Sequence, residues 1–123
     1  MGLTLYQLNI RNWYRLKYPL TVDLNNYNPE IILLNETNLQ PLDIPQIQGY
    51  NSIAKSNGQF SGAALLINKE LKYEPIQLDD ENSVAAKLLT DSGPIIICTM
   101  YCPPRIKGIP YSSFTTILSH NIK

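Results

Sequence analysis

The strongest constraint in the sequence is the run IILL, Ile31 to Leu34, in which four apolar residues follow one another without a polar interruption. A strand with one solvent-exposed face alternates apolar and polar residues, whereas a strand covered on both faces is apolar throughout. A turn containing Pro29 precedes the run. The run therefore predicts a buried strand with a layer of protein on each side.

Most of the remaining chain also predicts strands. Alternating residues predict one strand over Leu3 to Ile10. Pro19 forbids one long helix from Trp13 to Tyr27, so we predict a shorter helix with this proline in its first turn. Its buried face would hold Leu20, Leu24 and Tyr27.

The second part of the chain predicts strands joined by hairpin turns. The predicted strands are SIAKS, AALLIN, KYEPIQL, SVAAKLL and a buried PIIICTM, and the predicted turns are NGQFSG, DDEN and TDSG. We interpret the carboxylates of DDEN, which are Asp79, Asp80 and Glu81, as a turn and not as a metal site. The tail YSSFTTILSHNIK has helical spacing. The order of elements predicts a mixed α/β fold in which strands predominate.

Charge and cysteine usage exclude some classes of function. Ten basic and ten acidic residues give a net charge of zero, so positive charge for a nucleic acid must be local or come from a metal. Cys98 and Cys102 lie too far apart along one strand for an easy disulfide, and with one histidine a zinc site is not expected. Reduced cysteines, the missing signal segment and the short apolar runs predict an intracellular protein without a membrane span.

Three predicted strands end in polar residues that packing does not require. The first ends at Asn9, the second in Asn35 and Glu36, and the last runs into Tyr101. The structural alternative is an ordinary polar turn at Asn9, a solvated strand end at Glu36 and a tyrosine packed under the prolines that follow it. The functional alternative is the rim of an active site, where strand ends present polar groups to a ligand.

The order of these segments resembles the endonuclease/exonuclease/phosphatase superfamily. The segments are LNIRNW, PEIILLNET, GYNSIA, GQFSGAALLI, SVAAKLL and IIICTMYCPPR. The sequence is most similar to the apurinic-type endonuclease domain of non-LTR retrotransposons, over nearly the whole chain. The resemblance implies a partial four-layer α/β sandwich of the DNase I-like kind, with mixed, mostly antiparallel sheets. Residues 1–123 would then form the N-terminal half of the domain.

The resemblance also implies a chemistry, because this superfamily cuts phosphodiester bonds with Mg2+, for which Mn2+ can substitute, and an activated water. By position, Glu36 matches the metal-binding glutamate and Asn9 the asparagine that contacts metal or phosphate. Tyr101 matches the tyrosine near the scissile phosphate. These roles suit the residue types, since Mg2+ prefers oxygen ligands and a phenol can donate to developing negative charge.

Further residues and two departures complete the comparison with the superfamily. Arg11 and Arg105 are candidates for contacts with DNA phosphates, and Trp13 is either a packing residue or a rim contact. Asn35 stands where glutamine is usual, and Ala63 stands where a second glycine is frequent. Neither departure removes a catalytic group.

The superfamily's later elements, an Asp-x-Asn strand and an Asp-His pair, do not occur in these residues. His120 follows a serine, and we assign it no role. We therefore expect the 123 residues alone not to cleave DNA. We expect them to be completed by further polypeptide, including a reverse transcriptase, in a nuclear location. Two alternatives stay open: a catalytically dead or truncated relative that acts as a binding or scaffold fragment, and an inositol-phosphate or sphingomyelin phosphatase.

Overall fold

Two β-sheets and one helix make up the part of the chain that the structure, a computed structural model, describes: residues 3–56, 61–79 and 82–100. In chain order the elements are β1 (Leu5–Asn9), α1 (Trp13–Tyr27), β2 (Ile31–Asn35), β3 (Tyr50–Lys55), β4 (Ala63–Asn68), β5 (Lys72–Ile76), β6 (Ser83–Thr90) and β7 (Gly93–Met100). The predicted mixed α/β fold with a majority of strands is confirmed. It is compatible with a partial DNase I-like sandwich.

The sheets differ in their strand directions. Sheet A has the order β1-β2-β4-β3, and sheet B has the order β5-β6-β7. Strands β1 and β2 are parallel and are joined through α1, since a parallel pair needs a long crossover. Every other pair in the two sheets is antiparallel. The prediction of mixed, mostly antiparallel sheets is therefore confirmed.

Strand β2 lies between two apolar layers, as its uninterrupted apolar run predicts. Ile32 and Leu34 face α1, in a cluster with Leu20 and Leu24 of the helix. The alternate side chains of β2 face sheet B, in a second cluster that includes Ile31, Leu33, Val84 and Leu88. Burial of each such side chain contributes about 1.5–3 kcal/mol. The layers of the described residues are thus α1, sheet A and sheet B.

The predicted start of the helix is wrong, because α1 begins at Trp13 and contains Pro19. Proline removes one helical hydrogen bond, here the one that would reach the carbonyl of Arg15. Both residues are exposed, so water can hydrogen-bond that carbonyl. The helix also buries Trp13, Leu20 and Leu24. Their combined burial outweighs the roughly 3 kcal/mol that an internal proline costs.

Asparagines define both ends of α1. The side-chain oxygen of Asn12 accepts hydrogen bonds from the backbone N–H groups of Tyr14, at 2.9 Å, and Arg15, at 3.3 Å. Such an N-cap satisfies donors that the first turn leaves without partners. At the other end Asn28 adopts a left-handed conformation and its N–H donates to the carbonyl of Leu24 at 2.7 Å. The early start of the helix is therefore fixed by its cap.

The predicted buried face of α1 is correct at two of its three positions. Leu20 and Leu24 are 2% and 4% exposed, whereas Tyr27 is 68% exposed. Tyr27 is the last helical residue, and its ring lies 6.3 Å from that of Tyr6 in β1. Because β1 is one of the two edge strands of sheet A in the described residues, this contact lies at the border of the sheet and leaves most of the ring in water.

Strand β7 was predicted to be buried, and this prediction is wrong. Ile95 is 39% exposed, and Thr99 is the one fully buried side chain of the strand. In the described residues β7 has a neighbour on one side only, β6, so it forms an edge of sheet B. An apolar run does not distinguish such a strand from a central one.

Several predicted segments fall wholly or partly outside the described residues. These are residues 57–60 of the turn NGQFSG, Asp80 and Glu81 of DDEN, and the tail helix. The turn at Asp91 and Ser92 is confirmed. No helix among the described residues is both long and apolar enough to cross a membrane.

Candidate functional site

The ends of β1 and β2 meet at one edge of sheet A, which we call the polar edge and which holds Asn9, Arg11, Glu36 and Asn38. The strands run parallel with Asn9 opposite Asn35, and the N–H of Ile10 donates to the carbonyl of Asn35 at 3.0 Å. Neighbouring strands are about 4.8 Å apart, and paired residues direct their side chains to the same face. The fold thus brings together two chain segments that both end in polar groups.

Glu36 begins a segment that is held on several sides. Its backbone is left-handed, with φ of 55°, and its N–H donates to the carbonyl of Gly62 at 2.8 Å. The N–H of Asn38 donates to the carbonyl of Ser61 at 2.9 Å. The hydrogen bonds between β2 and β4 therefore extend past the end of β2, and the direction in which Glu36 leaves the strand is fixed.

The segment after β2 is also tied to the start of α1. The N–H of Trp13 donates to the carbonyl of Thr37 at 2.8 Å, and the side-chain amide of Asn38 donates to the carbonyl of Arg11. Arg11 and Asn38 are left-handed too, with φ of 63° and 53°. Left-handed backbone is uncommon outside glycine and is concentrated at functional sites. Three of the five non-glycine residues with positive φ in the described chain lie at this edge.

Gly62, which directly precedes β4, packs against the same segment. Its φ is 106°, and a Cβ atom at this position would lie 2.3 Å from the hydroxyl oxygen of Thr37. That hydroxyl is buried and has no hydrogen-bond partner among the described residues. The N–H of Gly62 donates to the side-chain oxygen of buried Asn82 at 2.8 Å, which links this point to the start of β6 in sheet B. Close backbone approach therefore requires glycine here.

Asn35 connects the polar edge to sheet B. Its side-chain amide donates to the carbonyl of Met100 at 2.9 Å, and its side-chain oxygen accepts a hydrogen bond from the hydroxyl of Thr99. Thr99 is 3% exposed. The asparagine at this position, where glutamine was expected, thus has a structural role, because its amide joins the ends of β2 and β7.

The loop that follows the polar edge is anchored to α1. The phenol of Tyr14 donates to the carboxylate of Asp43 and accepts from the N–H of Gln40 at 3.0 Å. The hydrogen bond to Asp43 raises the pKa of Tyr14 above its ordinary value. The loop is therefore held to the helix by the hydrogen bonds of this tyrosine.

The predicted site residues fall into two groups. Asn9, Arg11 and Glu36 lie at the polar edge, where Asn9 and Arg11 are exposed and Glu36 is partly buried. Tyr101 and Arg105 lie outside the described residues, so their roles stay predictions. The structural interpretation of Trp13 is confirmed, because it is 5% exposed within the core under α1. Ala63 pairs with Asn35 in the ladder between β2 and β4.

Sequence reasoning missed the residues that support the polar edge: Asn38, Gly62, Asn82 and Thr99. The only usable signals were an asparagine soon after a predicted strand and a glycine just before another. Thr99 carried no signal, because its partner Asn35 is 64 residues away.

The donor set at the polar edge suits one kind of metal. Glu36 offers a carboxylate and Asn9 an amide oxygen, and Mg2+ binds with one or two carboxylates while it keeps several waters. Over residues 3–56, 61–79 and 82–100, no three histidine, cysteine or acidic side chains gather into a preformed metal cluster. The carboxylate of Glu36 and the amide oxygen of Asn9 are donors of the kind that fit a hydrated Mg2+.

Together, the fold and the polar edge define a two-sheet α/β protein with a candidate site for a cation and a phosphate at one edge of a sheet. No family model matches the chain. The chain is similar to the RNA-directed DNA polymerase from mobile element jockey of Drosophila funebris, with 24% identity over 96 residues. The match covers 73% of this chain and 10% of the relative, so the chain spans about a tenth of the length of that protein. This similarity suggests a protein related to non-LTR retrotransposons.

Substitution of Gly62 tests how tightly the polar edge is packed. Gly62→Ala should lower the free energy of unfolding by about 2–4 kcal/mol, since it adds a clash with Thr37 to the strain of a left-handed alanine. Urea unfolding followed by circular dichroism measures this loss.

Gly93→Ala is the matched control, because Gly93 also has positive φ, at 114°, but nothing lies within 4 Å of an added Cβ. It should cost only about 1 kcal/mol, from backbone strain alone. Equal losses in the two variants would contradict the close packing of Thr37 on Gly62.

Proposed function

We propose that this chain takes part in Mg2+-dependent cleavage of DNA phosphodiester bonds, as the N-terminal half of an endonuclease domain of the endonuclease/exonuclease/phosphatase superfamily. The observation that carries the proposal is the parallel pairing that aligns Asn9 with Asn35 and so brings Asn9 and Glu36 to one edge. The similarity to a mobile-element polymerase supports a retrotransposon-type polyprotein as the context.

Glu36 is the proposed cation ligand. It is partly buried, and its backbone N–H donates to the carbonyl of Gly62. The backbone position from which its side chain extends is therefore restrained. Asn9, on the neighbouring strand, would supply an amide oxygen to the cation or an amide N–H to a phosphate oxygen. When bound, Mg2+ (or Mn2+ in its place) polarises the phosphoryl oxygen and stabilises the leaving alkoxide.

Arg11 is the proposed contact with the DNA backbone. It is exposed, and its left-handed backbone is held through the hydrogen bond from Asn38 to its carbonyl. A guanidinium can bind two phosphate oxygens at once. Because the net charge of the chain is zero, this contact would act locally and not through a broad basic surface. Tyr101 and Arg105 are proposed as a donor near the scissile phosphate and a second phosphate contact.

Hydrolysis requires groups beyond the polar edge, among them a base or acid for the attacking water. We propose that further polypeptide supplies them, together with a reverse transcriptase, and that these 123 residues alone do not nick DNA. The proposed substrate also implies a nuclear location.

A non-catalytic binding or scaffold fragment is the second candidate function. One observation favours it: β7 forms an edge of sheet B in the described chain and exposes apolar surface at Ile95. An edge strand with apolar side chains is a template for pairing with another chain. Nothing at the polar edge favours the inositol-phosphate or sphingomyelin phosphatase alternative.

Calorimetric titration with Mg2+ tests whether the polar edge binds a cation or has lost that ability. The wild-type chain should bind one Mg2+, and Glu36→Gln should weaken binding about tenfold or more because it removes the carboxylate charge. Glu30→Gln is the matched control. Glu30 precedes the opposite end of β2, where its carboxylate accepts from the N–H of Thr4 at 2.9 Å. Loss of binding in both variants, or in neither, would count against Glu36 as the ligand.

Fluorescence anisotropy with a short DNA duplex tests the nucleic-acid part of the proposal. Arg11→Gln should weaken binding and reduce the slope of log affinity against log salt by about one, because one phosphate contact is lost. Lys72→Gln removes the same charge at the start of β5, near the other end of sheet B, and should have little effect. Equal effects would indicate a general influence of charge, and no binding by the wild type would favour the scaffold function.

A further inference from the structure

The side chain of Asn35 makes two hydrogen bonds from sheet A to sheet B. Its amide N–H donates to the carbonyl of Met100 and its oxygen accepts from the hydroxyl of Thr99. Both partners lie at the end of β7, so one amide group contacts two successive residues of the opposite sheet. The donor and acceptor of a single amide are thus used together, which fixes its orientation.

Asn35 lies next to the proposed cation ligands along the chain. Asn35 directly precedes Glu36, and its carbonyl accepts from the N–H of Ile10, the residue after Asn9. Of the two proposed ligands, Glu36 is therefore the neighbour of Asn35 in the chain, and Asn9 is the neighbour of Ile10, whose N–H is bound to Asn35.

We propose that Asn35 and Thr99 form an inter-sheet clamp that positions Glu36 for cation binding, an inference that rests on the function proposed above. Asn35 does not touch the cation; it is a positioning residue. In its absence the ends of β2 and β7 keep their own ladders but lose the contact that sets their separation. Residues that orient a metal ligand typically change metal affinity by 10- to 100-fold when they are replaced.

Thr99 offers the cleaner substitution, because Thr99→Val keeps the shape of the side chain and removes only the hydroxyl. The side-chain oxygen of Asn35 then loses this donor, and the amide is no longer held from both sides. Amide hydrogen exchange of Glu36, whose N–H donates to Gly62, should become about fivefold faster or more. The Mg2+ affinity should fall about tenfold.

Two control variants separate positioning from general stability. Thr99→Ser retains the hydroxyl and should restore both the exchange rate and the Mg2+ affinity. Thr90→Val removes a hydroxyl that donates to the carbonyl of Gly93 at 2.5 Å, at the opposite end of the same sheet. That end lies about 24 Å from Met100 at roughly 3.4 Å per residue, and this variant should change neither property.

The exchange rates decide on the clamp, and the titrations decide on the cation. Faster exchange of Glu36 in Thr99→Val, with recovery in Thr99→Ser, supports the clamp. Unchanged exchange in Thr99→Val, or an equal change in Thr90→Val, overturns it. If even the wild type binds no Mg2+, the proposed function fails, and the exchange rates alone then decide whether Asn35 and Thr99 hold the end of β2.

Discussion

The parallel pairing of β1 with β2 is the constraint on which the rest of the structure depends. Because both strands run in one direction, their carboxyl ends coincide, and Asn9 lies opposite Asn35. An antiparallel pair would separate the two polar ends by the length of a strand. The parallel pair is possible only because α1 carries the chain back along the sheet, and α1 is held there by burial of Trp13, Leu20 and Leu24.

Burial of β2 on both faces explains why the polar groups gather at its end. Four of the five side chains of β2 are buried, and they pack alternately against α1 and against sheet B. Polar groups can appear only where the strand leaves the core. There, Arg11, Glu36 and Asn38 have left-handed backbone, and the N–H groups of Glu36 and Asn38 donate to the carbonyls of Gly62 and Ser61, just before β4. The rigid core thus provides the support that a site needs to keep its ligands in place.

The sequence allowed prediction of those features that depend on local pattern. The apolar run at Ile31–Leu34 correctly indicated a buried strand, the run at Ala63–Ile67 correctly indicated a strand, and the polar residues after β2 indicated its end. Local rules failed where tertiary packing outweighed them. Pro19 is tolerated inside α1 because its side of the helix is exposed, and the apolar run of β7 forms a partly exposed edge. The contact between Asn35 and Thr99 could not be predicted, because it depends on how two sheets stack and joins residues 64 positions apart.

Paramagnetic broadening by Mn2+ tests the central claim most directly, since Mn2+ replaces Mg2+ at oxygen ligands and broadens amide resonances around its binding site. In a spectrum of the 15N-labelled chain, substoichiometric Mn2+ should first broaden the amides of Asn9, Ile10 and Glu36 together. Broadening centred on another acidic residue, such as Asp23 on α1, with the two strand ends unaffected, would contradict a cation site at the polar edge.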